Sequence, residues 1–179
     1  MKQILMLLLL LMSIITRAQN NAVLVSMMGI GDIKVGMKKS ELEKLLNQPL
    51  KTPHLLKKDD EHYYDTVHVS YKGVEADVVF QKEYAEDKKF DITVWEVRSA
   101  TAGLKTRSGI SIGDDKLKIV STYPDFMLQI MPEYENEYKT KSKIKSTVWL
   151  IGDESGTVII FYLTNNKVTG FSVIYSEGC

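Results

Sequence analysis

The segment Ile33 to Pro49, IKVGMKKSELEKLLNQP, returns in weaker form at Ile110 to Pro124, ISIGDDKLKIVSTYP. A chain that carries such a pair is constrained to build two similar parts. Each copy has an Ile-x-Val/Ile-Gly lead-in, a short amphipathic stretch and a proline that stops it. In the first copy Leu42, Leu45 and Leu46 recur at helical spacing, while Glu41, Glu43 and Lys44 can face water. Ser40 and Glu43 have capping-box spacing, which places the helix start near Ser40. In the second copy Ile119, Val120 and Tyr123 make the comparable stripe, with Asp114 or Asp115 as N-cap.

Around these helices the apolar period is two. Val67, Val69 and Tyr71 alternate with polar residues, Lys72-Gly73 is a turn signal, and Val74, Ala76, Val78 and Phe80 resume the alternation. Trp95 and Val97 share a face of the next strand, and residues 99–106 read as the hinge between halves. In the second half, Glu133 to Lys143 reads as a charged connection. Strands follow at residues 147–151, 157–163 and 168–175, separated by turn residues such as Asn165-Asn166. Ile159-Ile160-Phe161 aligns with Val78-Val79-Phe80, and Val168 to Val173 aligns with Ile92 to Val97. The expected fold class is therefore α+β. It comprises two tandem repeats, residues 19–100 and 101–179, each a short helix or helix pair packed on a three- to four-stranded antiparallel sheet.

Residues 1–18 read as a signal peptide. Lys2 precedes the apolar run Ile4 to Ile15, and Thr16-Arg17-Ala18 offers small residues at the positions a signal peptidase requires. A membrane span is the competing reading, but twelve helical residues reach only about 18 Å, short of a ~30 Å hydrocarbon core. No cysteine stands directly after the run, so a lipid anchor of the bacterial lipoprotein kind has no attachment point. The expectation is an exported protein, periplasmic or secreted. Loss of Lys2 and Arg17 with the leader leaves 21 basic residues against 23 acidic ones, a balance that suggests neither nucleic acid nor an anionic membrane as partner. Cys179 is the single cysteine, so no internal disulfide forms.

The combination of Ile33-x-Val35-Gly36-Met37, a helix ending at Pro49, and a hairpin closing on Lys167-Val168-Thr169-Gly170-Phe171 resembles one superfamily. It is the superfamily of beta-lactamase-inhibitor proteins and the SmpA/OmlA-type small lipoprotein of the outer-membrane barrel-assembly machinery. The resemblance implies helices laid on one face of small antiparallel sheets, and a protein that binds other proteins without catalysing a reaction. The matching positions, Gly36, Leu42, Leu45 and Pro49, serve turning and packing, so no binding residue is carried over. The inhibitors have a disulfide in each unit, and the lipoprotein is acylated and single-unit; this chain has neither feature.

His54, His62 and His68 lie among Asp59, Asp60, Glu61 and Asp65, but their spacings fit no helical ligand pair, and solvated loop and strand positions explain them better than a metal site. No serine sits in a Gly-x-Ser-x-Gly elbow, and Gly29-Ile30-Gly31 lacks the third glycine and the helix of a dinucleotide fingerprint. The sequence thus reads as non-catalytic, with no cofactor and no metal. Phe80, Trp95, Phe161 and Phe171 are assigned to core faces. His68, Trp149 and Tyr162, with Tyr63 or Tyr64, fall on the sheet face turned away from the helices and are the candidate partner-binding residues. The partner would be another extracytoplasmic protein. A small-ligand or metal-binding periplasmic protein is the alternative.

Overall fold

The computed structural model describes residues 23–52, 55, 64–84, 90–135, 140–152 and 156–176. The leader, His54, His62, Tyr63, the carboxylates at 59–61 and Cys179 lie outside the described residues. Three short strands open the chain: β1 (Leu24–Ser26), β2 (Gly29–Ile30) and β3 (Ile33–Lys34). Helix α1 (Lys39–Leu46) follows, then β4 (Tyr64–Tyr71), β5 (Val74–Tyr84), β6 (Phe90–Ser99) and the two-residue β7 (Lys105–Thr106). Helix α2 (Lys116–Thr122) leads into β8 (Met127–Glu135), β9 (Thr140–Ile151), β10 (Thr157–Thr164) and β11 (Lys167–Tyr175).

The expected α+β chain of two helix-on-sheet units is not what forms. The protein is mostly β, and β4-β5-β6-β11-β10-β9-β8 make one seven-stranded sheet that is antiparallel throughout. The helices have only eight and seven residues. Two physical causes stand behind the correction. Of the stretch read as a charged connection, Glu133 to Lys143, residues 133–135 lie in β8 and 140–143 in β9, because strand pairing satisfies their backbone while their charges remain in water. The last strands of the two halves, β6 and β11, also pair with each other from Phe171↔Ser99 to Ile174↔Glu96, which removes two open edges that separate sheets would expose.

A smaller sheet, ordered β3-β2-β1-β7, joins the N-terminal strands to the segment read as a hinge. β1 and β7 run parallel, and the hinge is pinned to β5 by Ser99 Oγ donating to the Glu75 carbonyl at 2.6 Å and Thr101 Oγ1 accepting from the Glu75 N–H at 2.9 Å.

Within the large sheet the two halves repeat a local device. Gly36 N–H donates to the Val94 carbonyl at 2.7 Å and Val94 N–H to the Met37 carbonyl at 2.8 Å; Gly113 donates to Val168 at 2.7 Å and Val168 to Asp114 at 2.9 Å. Beside each, the final strand carries an extra residue: Trp95 between the Phe80↔Val94 and Val79↔Glu96 pairs, Thr169 between Leu163↔Val168 and Tyr162↔Gly170. Val78 therefore corresponds to Phe161 and Val94 to Val168, two residues away from the alignment read off the sequence. A shift of two preserves the face of every side chain, which is why Phe80, Phe161 and Phe171 are fully buried as expected. The bulge breaks that period for Trp95, which turns off the core face and lies against Tyr64, ring centroids 5.1 Å apart.

Both helices drop their apolar stripe on the inner sheet face. Leu42 and Ile119 are completely buried, Leu45 and Leu46 pack at the margin, and Val120, assigned to the stripe, is exposed. α1 starts two residues before the expected capping box: Lys38 is the N-cap and its N–H donates to the Glu41 carboxylate at 2.9 Å. Glu43 instead holds Lys39 at 2.6 Å and accepts from Leu50 N–H at 2.9 Å, and Asn47, at φ 53°, ends the helix ahead of Pro49. Asp115 caps α2, accepting from Leu117 N–H at 2.9 Å.

Candidate recognition face

The sheet face opposite the helices is laid out by the strand register. A single row crosses all seven strands: His68, Asp77, Arg98, Ser172, Ile160, Trp149 and Gln129. His68 and Trp149 thus share a face and a row, as expected, yet at about 4.8 Å per strand they stand on the order of 24 Å apart. A neighbouring row runs Thr66, Val79, Glu96, Ile174, Val158, Ile151 and Met127. Polar residues dominate the β4-β5-β6 end and apolar ones the β8-β9-β10 end.

At the polar end His68 is held between two carboxylates, Nδ1 at 2.9 Å from Asp77 and Nε2 at 3.1 Å from Glu75. Ser70 donates to the second oxygen of Glu75 at 2.5 Å. The hydrogen bond to Asp77, then that to Glu75, raises the His68 pKa above its ordinary 6.5. The bond from Ser70 lowers that of Glu75 below 4.5 despite the opposing effect of desolvation.

In the centre Glu96 is nearly buried. Both its oxygens accept from Arg98 Nη2, at 2.9 and 3.0 Å, and Ser172, fully buried, donates to it at 2.5 Å. The Arg98 guanidinium carbon lies 5.7 Å from the centre of the Tyr162 ring. Burial raises the Tyr162 pKa, with Arg98 opposing it. Tyr162 and His68 therefore face each other across Arg98 and line a cleft of about 680 Å³, with Thr101 and Thr169 at its rim. Trp149 is not part of that cleft. It lies half-buried at the apolar end, its Nε1 donating to Thr147 at 3.1 Å, beside Ile160 and Gln129.

The chain matches no known family model, no curated protein and no solved structure. Function has to be read from the site. Of the three candidate residues, the structure brings two together at the cleft and sets the third on the same face at a distance. Trp95 is the outward aromatic that sequence reasoning missed, since nothing in strict alternation signals an inserted residue. Tyr64, named as a possible member, is exposed and packs on it. Among the described residues no group of three His, Cys, Asp or Glu side chains is placed to hold a metal ion, and no helix is long and apolar enough to cross a membrane.

Proposed function

We propose that this is a non-catalytic, exported protein-binding module, inhibitor-like or an accessory to envelope assembly, that docks another extracytoplasmic protein on the outer face of its seven-stranded sheet. The observation that carries the reading is the make-up of that face: a partly exposed apolar field around Trp149, Ile151 and Met127, on the same side of the sheet as a charged, hydrogen-bonded field around Arg98 and His68. Trp, Tyr and Arg are the residue types that anchor protein–protein interfaces, and this face carries all three, with Trp149 at its apolar end and Tyr162 and Arg98 at the cleft. The resemblance of Ile33 to Met37 and Lys167 to Phe171 to the beta-lactamase-inhibitor superfamily points the same way, on grounds of short sequence motifs alone.

A pull-down from envelope extract tests this, with wild-type, Trp149→Ala and Tyr162→Ala proteins as bait. A partner retained by the wild type should be weakened by about 2 kcal/mol or more in each variant, while their urea midpoints stay near wild type. No reproducible partner for a folded, monodisperse bait, or equal capture by all three, would count against the outer face as the docking surface.

A further inference from the structure

A second concavity lies away from that face, where the small sheet leans on the β4–β5 turn. Its volume is about 630 Å³, within the range of small-molecule sites. The floor is closed over the buried Val25, Ile30, Ile33 and Val74, and the apolar surface it leaves open is Leu24, 43 % exposed, with the half-buried Val23 and Tyr71. The rim is charged and unbalanced, with Lys34, Lys72 and Arg107 against the single carboxylate of Asp32.

Two of the three cations are occupied. Lys72 Nζ is 2.8 Å from Asp32 and 5.1 Å from the centre of the Tyr71 ring, and Lys34 Nζ donates to the Gly31 carbonyl. Arg107, in the turn after β7, has no carboxylate within ion-pair distance among the described residues. A guanidinium presents a fork of N–H donors that matches a carboxylate in shape and charge, and it does so here beside that open apolar surface. We propose that this concavity binds an amphipathic organic anion, its apolar body against Val23, Leu24 and Tyr71 and its carboxylate on Arg107.

The site is independent of the docking face, because none of its lining residues belongs to the cleft of His68 and Tyr162. The lean of the small sheet over the β4–β5 turn is held at its rim by the Asp32–Lys72 pair, which a bound anion leaves intact when Arg107 is its contact.

Isothermal titration of the purified protein with decanoate, below its micellar range, tests the proposal against decyltrimethylammonium, which has the same chain and the opposite charge. One decanoate per chain is expected, with the cationic amphiphile at least about tenfold weaker. Arg107→Glu should weaken decanoate by about tenfold or more, and Tyr162→Ala should leave it unchanged. Arg107 is exposed in a turn, so circular dichroism of the variant should match wild type. Absence of saturable decanoate binding, equal binding of the cation, an unaffected Arg107→Glu protein, or loss of binding in Tyr162→Ala would each overturn it.

Discussion

His68 shows how much the neighbours of one side chain decide. Its ring is exposed, yet Asp77 and Glu75 each take one nitrogen, and together they favour the imidazolium. A folded-state pKa raised above 6.5 means that the contribution of His68 to stability is fully present below 6.5 and is lost as pH rises through the folded value. For Glu75, whose pKa is lowered, the contribution is present above 4.5 and is lost as pH falls through its folded value. Both are therefore in force between about pH 4.5 and 6.5. An NMR titration should place the His68 pKa above 6.5 in wild type and lower in Asp77→Asn; no change on substitution would mean that the contact does not hold in solution. Gly29 makes a different residue-scale case. Its φ is +142°, and a Cβ there would lie 2.1 Å from the Ile33 carbonyl oxygen. Gly29→Ala should cost more than about 2 kcal/mol in a urea titration, far beyond the loss of backbone freedom alone.

The helices and strands differ in how much of each is needed. α1 and α2 are too short to persist alone and owe their existence to one buried side chain apiece plus their margins. Leu42→Ala should cost about 2–5 kcal/mol, while Leu117→Ala, on the exposed side of α2, should fall within about 0.5 kcal/mol. On β10 and β9 the two faces separate in the same way. Phe161 is fully buried against Phe171 and Tyr123, with ring centroids 5.6 and 6.2 Å away, and Phe161→Ala should cost about 3–5 kcal/mol. Trp149→Ala, on the half-buried outer face, should cost well under about 1 kcal/mol. Equal large losses in both would show that the outer face is core, and would remove the proposed docking surface with it.

At the scale of the molecule the joint between β6 and β11 is the feature with most consequence. Four opposed residue pairs join the halves, with Val97 and Val173 fully buried on the inner face of the joint. Each half also reaches into the small sheet, one through β1 to β3 and the other through β7. Neither half can unfold without exposing the edge and core surface of its neighbour, so the protein should melt as one unit. The two tryptophans report on this, since Trp95 lies in β6 and Trp149 in β9. Urea curves of Trp149→Phe, which leaves the first reporter, and Trp95→Phe, which leaves the second, should each show one transition with the same m-value. A resolved intermediate in either would mean that the halves fold separately.

Much of the local structure was legible in the residues themselves. The alternation from Val67 to Phe80, the leucine stripe of α1, an aspartate cap at Asp114 or Asp115 and the outward direction of His68, Trp149 and Tyr162 follow from periodicity and capping, which act over a few residues. The balance between helix and strand did not follow. Residues 133–135 and 140–143 carry no apolar pattern, and they become strand only because a partner strand supplies their hydrogen bonds. The union of two half-sheets into one also depends on β6 meeting β11, a pairing between residues more than seventy positions apart. The same holds for the site. The sequence supplied the face, but only the register brought Arg98 between His68 and Tyr162, and only a one-residue bulge turned Trp95 outward, because both are set by contacts across strands.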